Sequence, residues 1–461
     1  MVARAKRLSM RRLVAFLFLL TGGLASASET WLGDWQESVI HYDSKEDLKD
    51  PVAILQRRIE NREVRLKFEK NRGYLKSLLT ALQIPPSSQA LVFSKTSSQA
   101  DWTSPRTPRA LYFNDNVYVG WAPNAPQIDL ISMDPNKGPI FYVLSQKQQA
   151  SPTFVRQTDC RACHQGGKTM FWPGLVAKSV HTTGEGKPVS REVAFSLGHE
   201  TPISFRWGGW YVTGALRGTE NESHLGNIFT ADPERPGEVD RSLGRALKDL
   251  KNTIDSPRYL SASSDVVALL VFEHQSRMHN LLTQANYETR LALANDAARA
   301  AEQTGATGQL TRLSDESRAR IEQAGERLLE YMLFRHEAPL DGPVRGTTRF
   351  VGEFQRGGPR DLRGRSLREF DLKTRLFRYP CSYLVYSPAF DGLPQEMRNY
   401  LWMRLEQIFS GREPNEPYAS IAESDRREVL EILRDSKPEF KAWLARPNDS
   451  RQAANTGGSR R

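Results

Sequence analysis

The sequence predicts an α+β protein, with a β-rich N-terminal and central part that bears a reactive segment and a mainly helical C-terminal half packed on it. Three observations predict this. Short runs of aromatic and β-branched residues, broken by turn residues, fill positions 88–145; apolar residues recur at helical spacing after Ala262; and Cys160-Arg161-Ala162-Cys163-His164 lies between the two patterns.

Taken in order, residues 1–12 carry Arg4, Lys6, Arg7, Arg11 and Arg12 and no acid, Leu13–Leu20 is an unbroken apolar run, and Ala25-Ser26-Ala27 supplies small residues. That succession reads as a secretory signal peptide over 1–27, cleaved near Ser28. An uncleaved anchor is the alternative, but a bilayer span takes about 20 apolar residues. No later stretch is apolar enough to span a membrane, so the expected location is periplasmic or secreted. The segment 28–87 is read as helical, with one helix over 48–82 in which Val52, Leu55, Ile59, Val64, Leu66, Leu75, Leu78 and Leu79 recur near helical spacing, and Pro85-Pro86 ends it.

The β-rich region is placed at 88–262. Leu111–Phe113, Val117–Val119 and Ile140–Leu144 are its expected strands, and Trp210-Tyr211-Val212 the clearest one after the cysteine pair. A helical region follows over 263–445. Helices are expected at Val266–Leu293, Leu313–Phe334, Met397–Phe409 and Arg426–Leu433, with an exposed connection over 294–310 and a polar tail over 446–461.

The net charge of +10 suggests an anionic partner until it is apportioned. Five basic residues belong to the leader, and the tail carries four arginines against Asp449, which leaves about +2 for the body, with both signs interspersed. No nucleic-acid role is indicated. Three cysteines make no disulfide framework, and two of them are only three residues apart.

Cys-x-x-Cys-His is the spacing at which two thiols add across the vinyl groups of a haem while the next residue binds the iron. Cys160, Cys163 and His164 are therefore read as the attachment site of one covalent haem c, with His164 as proximal iron ligand. A zinc site completed by Cys381 and a distant histidine is the alternative, although zinc modules usually show a second close pair. The sixth iron position has several candidates: Met278, His274, His279 and His224. Helical spacing puts His274 and Met278 on the apolar face of the 266–293 helix; His279 lies about 100° round from Met278. His199 and His224 sit in turn-like contexts, and Met170 follows His164 too closely to return to the opposite face easily. Arg206-Trp207-Gly208-Gly209-Trp210 offers a cation and flat aromatics suited to a macrocycle and its carboxylates, or to an ordinary aromatic core. Cys381, in an aromatic stretch, reads as a buried free thiol.

Several blocks carry a further likeness. They are Ser94–Ser97 with Gln99, RALYFNDNVYVGW at 109–121, TDCRACH at 158–164, RWGGWYVTG at 206–214, HLGN at 224–227, EHQSRMHNL at 273–281 and RLFRYPCSYLVYS at 375–387. Through them the chain, from about 50 to 440, resembles a family of large, secreted, single-haem cytochrome c-like bacterial proteins. The resemblance implies haem c binding and electron transfer with a redox partner it does not specify. It brings no firm activity, and a haem enzyme of peroxidase or oxygenase type with an open sixth position stays as the alternative.

Overall fold

The computed structural model describes residues 33–447 except 190–194, 217–222, 233, 236–237, 241–242, 305–311, 341 and 413–416. The leader expected over 1–27 and the tail from 448 onward lie outside the described residues. The architecture is α+β, as expected: a six-stranded antiparallel sheet in the N-terminal and central part, then a mostly helical C-terminal half.

Helix α1 spans Asp34–Ile40, α2 Pro51–Glu60 and α3 Leu75–Ala81. Asp50 caps α2, accepting hydrogen bonds from the Val52 and Ala53 amides at 3.0 and 3.1 Å, and Pro51 opens the first turn. The single helix expected over 48–82 is thus two. Arg62 and Gly73 adopt positive φ, which no continuing helix tolerates. Both helices still bury the expected residues, among them Val52, Leu55, Ile59, Leu75 and Leu78.

The sheet is a meander of β1 (Ala90–Val92), β2 (Arg109–Phe113), β3 (Val117–Trp121), β4 (Gln127–Asp134), β5 (Gly138–Ser145) and β6 (Phe154–Arg156). Register and the two-residue period sort its side chains onto two faces. Tyr112, Val119, Leu130 and Tyr142 are aligned across β2–β5 on the face packed against α2 and α3. Leu111, Gly120, Asp129 and Val143 are aligned on the opposite face, as are Phe113, Tyr118, Ile131 and Phe141. The first of these rows faces a cavity.

Beyond β6 come α4 (Arg161–His164) and the short pair β7 (Lys178–Ser179) and β8 (Phe195–Ser196). Trp210-Tyr211-Val212 is not a strand. Trp207 and Gly209 have φ of 67° and 81°, so the chain turns there and lies irregularly along β1, where Tyr211 donates its amide to the Leu91 carbonyl at 2.9 Å. Strand β9 (Ala215–Leu216) later pairs with β10 (Val344–Arg345).

Helix α5, Val266–Thr304, is 39 residues long and packs against the sheet and the C-terminal helices. Asp265 starts it, accepting from the Val267 amide at 2.9 Å. It runs on through 294–304, within the connection expected from the sequence, because the alanines there are strong helix formers. Residues 305–311 lie outside the described residues. Helices α6 (Asp315–Met332), α7 (Phe350–Arg356), α8 (Pro388–Asp391), α9 (Gln395–Phe409), α10 (Glu423–Ser436) and α11 (Pro438–Leu444) complete the second half. Among the described residues no helix is long and apolar enough to cross a membrane.

Candidate functional site

The reactive segment folds as one helical turn. The His164 amide bonds the Cys160 carbonyl at 3.0 Å and the Gln165 amide bonds the Arg161 carbonyl at 2.8 Å. Residues three and four apart share a helix face, so Cys160, Cys163 and His164 all line one cavity of about 580 Å³. Arg161 points the other way. It is buried, pairs with Asp43 at 3.0 Å and stacks over the Tyr42 ring, whose hydroxyl donates to the Pro139 carbonyl at 2.7 Å.

Chain 164–174 closes on itself. The Gly174 amide donates to the His164 carbonyl at 2.8 Å, and the His164 Nδ1 lies 2.9 Å from the Gly174 carbonyl oxygen. A carbonyl can only accept, so Nδ1 carries the proton and Nε2 is left with its lone pair, the arrangement a metal-binding imidazole needs. Burial pushes the ring down to about 4, the Gly174 bond opposes this, and the cations of Arg109 and Lys178 add to the depression. Burial, with Asp129 and Asp159 nearby, raises the Cys160 thiol to about 11.

The carbonyl that orients His164 is itself held from α5. Asn280 accepts from the Leu175 amide at 2.7 Å and donates to the Leu175 carbonyl at 2.8 Å. A Cβ at Gly174 would come within 2.8 Å of the Asn280 Oδ1, so only glycine lets the two segments approach this closely. Asn280 was not among the predicted site residues. A buried amide on an apolar helix face was the signal available.

The sheet supplies the facing wall. At Gly120 a Cβ would lie 2.0 Å from the Arg109 Nη2, so the missing side chain makes room for the guanidinium to lie flat on the strand. Arg109 donates to Asp129 at 3.1 Å and to the Gln99 Oε1 at 3.1 Å, and Ser98 donates to Asp129 at 2.5 Å. Leu111, Ile131, Leu175, Trp210 and Phe272 make the interior apolar, while Ser94, Thr96, Ser97 and Lys178 add polar groups. The Phe141 ring lies 5.1 Å from that of His164.

None of the four predicted sixth ligands lines this cavity. His274 is fully buried, with Nε2 bonded to the Ser382 hydroxyl at 2.8 Å and Nδ1 to the His199 Nδ1 at 3.0 Å, and it stacks on Phe334. Met278 is packed in the apolar core. His279 sits one layer behind the wall, its Nδ1 2.9 Å from the hydroxyl of the cavity-lining Tyr118. His224 accepts the Gly226 amide at 3.0 Å and packs edge-on against Trp207. From Val266 to Tyr287 every residue of α5 except Arg277 is buried, His279 included, so helical periodicity singled out no one face as the one that meets the cavity. Arg206 likewise turns inward, pairing with Glu273 at 2.9 Å, whereas Trp210 does reach the cavity. Cys381 is a buried free thiol whose pKa burial raises. Among the described residues no three His, Cys, Asp or Glu side chains gather as a metal site.

In comparisons with models of protein families, with curated proteins and with solved structures, nothing matches the chain.

Proposed function

We propose that this chain is an exported c-type cytochrome that carries one covalent haem in the cavity and passes electrons to a partner protein. The observation that carries the reading is the convergence of Cys160, Cys163 and the unprotonated Nε2 of His164 on a single cavity of about 580 Å³, a volume typical of small-molecule and cofactor sites. The residues fit the group: two thiols at attachment spacing, an imidazole with the right tautomer, and an apolar interior. The zinc alternative would need four donors, and Cys381, its further thiol, lies buried in the core and does not line this cavity.

Such a haem supplies one-electron redox chemistry at its iron. The protein's share is positional. The Gly174 carbonyl, on the Nδ1 proton, makes the His164 ring a stronger donor, and Asn280 keeps that carbonyl in place. Leu111, Ile131, Trp210 and Phe272 exclude water, which favours the less charged redox state.

A second reading has its own observation. Among the described residues His164 is the only histidine that lines the cavity, and no methionine joins it. An iron held by His164 alone on the protein side has a sixth position open to a small ligand, as a peroxidase- or oxygenase-like enzyme requires. Optical spectra of oxidised and reduced protein, with a pyridine haemochrome assay, test both. A haemochrome with two thioethers is expected; its absence refutes the haem reading. Carbon monoxide binding to the reduced protein selects the open-site reading, and a low-spin spectrum unmoved by carbon monoxide selects the carrier.

A further inference from the structure

We infer that Lys178, together with the hydroxyls of Ser94, Thr96 and Ser97, forms the receptor for the carboxylates of the cavity's ligand. This rests on the haem reading, in which those carboxylates are the two propionates of the macrocycle.

Besides Asp159, next to the cysteine pair, the charged side chains on the cavity wall are Arg109, Asp129 and Lys178. Arg109 is matched by Asp129, and Asp129 accepts further from Ser98. That group acts on the attachment side, where Asp129 raises the Cys160 thiol. Lys178 is different. It lines the same cavity, is half-buried, and has neither an ion pair nor a side-chain hydrogen bond among the described residues. Lys168 is a second cation close enough for its pKa to be lowered by burial and by Lys178. A partly buried, unmatched cation is unfavourable unless an anion completes it.

The backbone holds this lysine in place. The Trp210 indole donates to the Lys178 carbonyl at 2.6 Å, and the Ser179 hydroxyl accepts the Gly208 amide at 2.8 Å. At Gly209, which has φ +81°, a Cβ would fall 2.6 Å from that of Ser94, so the glycine lets the Ser94 loop come alongside the segment that holds Lys178. The hydroxyls of Ser94, Thr96 and Ser97 line the same cavity as this ammonium, with the Ser94 and Thr96 oxygens 3.3 Å apart. Those are donors for two carboxylates, which bear the only formal negative charge at the periphery of the macrocycle.

Resonance Raman spectroscopy of the purified holoprotein reads the propionate bending band, which follows hydrogen bonding to those carboxylates. The expected result is a shift of that band toward weaker hydrogen bonding in Lys178→Gln and its return in Lys178→Arg. An unmoved band in fully loaded Lys178→Gln overturns the inference alone. Loss of a six-coordinate spectrum in Lys178→Gln also overturns it, because the lysine would then be an iron ligand. Wild-type protein without covalent haem overturns both this and the reading beneath it. Should the variant fail to accumulate, acetylation of Lys178 in the wild-type holoprotein and in a haem-free Cys160→Ala/Cys163→Ala chain decides the matter. Protection in the loaded protein supports the inference; equal labelling in the two refutes it.

Discussion

Between about pH 6.5 and 4.5 the folded protein is expected to lose stability steeply, because its core buries neutral histidines. His199, His224, His274 and His279 are at most 2% exposed. Burial holds the last three down to about 3, and His199 well below its ordinary value. Their folded-state values are depressed, so below 6.5 the unfolded chain takes up protons that the folded chain refuses, and stability falls with pH. Each fully discriminating group contributes about 1.4 kcal/mol per pH unit. Glu273 and Glu337 act in the opposite sense. Burial raises both to about 7, so from there to 4.5 the folded chain binds the extra proton and gains stability as pH falls. Two carboxyls offset two histidines, which leaves a net loss of about 3 kcal/mol per pH unit from about pH 6 to 5. Whole-domain stabilities are about 5–15 kcal/mol, so the effect is large. Urea unfolding followed by tryptophan fluorescence at about pH 7, 6 and 5 measures it through the midpoint at constant slope. A midpoint that is level or rises on acidification refutes the reasoning.

Other perturbations address single contacts. Glu273→Ala leaves the Arg206 guanidinium, 3% exposed, without its 2.9 Å partner; a loss of about 3–5 kcal/mol is expected near pH 8, measured by denaturant unfolding, with a smaller loss in Glu273→Gln, which keeps an acceptor but not the charge. Asn280→Ala removes both bonds to Leu175, costing about 1–3 kcal/mol. In the loaded protein it should also raise the reduction potential, since a weaker Nδ1 bond makes His164 a poorer donor to ferric iron. Gly120→Ala places a Cβ 2.0 Å from Arg109 and should cost about 1–3 kcal/mol, whereas Gly166→Ala, with nothing within 4 Å, should leave the melting temperature unchanged. Cys160→Ser and Cys163→Ser should each give a haemochrome band displaced toward one thioether.

The α+β class was legible because β2, β3 and β5 are dense in aromatic and β-branched residues and the stretch Val266–Leu293 within α5 is apolar-rich with no glycine or proline. Strand β4 was not: Ile128 and Leu130 alternate with Gln127 and Asp129, but Ser132 then takes the inward place between Ile131 and Met133, which breaks the alternation in the sequence. The Cys160–His164 turn was readable because all its chemistry falls within one helical turn. Arg109, Gly120 and Asp129 were not, since they meet only through the register of three strands. Lys178 depends on a glycine turn some 30 residues later. The distal side failed for a related reason. Periodicity does not tell which buried residues of α5 meet the sheet, α6 or the cavity, and His274 went to Ser382.

The contact of Arg161 with Asp43 and Tyr42 sets an order of events. Asp43 precedes the cysteine pair by more than 100 residues, so if the chain is exported as proposed, the latch residues would be available before Cys160 and Cys163 emerge. Once β6 and the Tyr42 segment are docked, the helical turn is clamped from behind, so under the proposed haem reading thioether formation would have to come before that docking. Arg161 occupies a position that the attachment spacing leaves unspecified. Its side chain would make maturation a race between folding of the N-terminal segment and thioether formation, and weakening the latch would favour the slower partner.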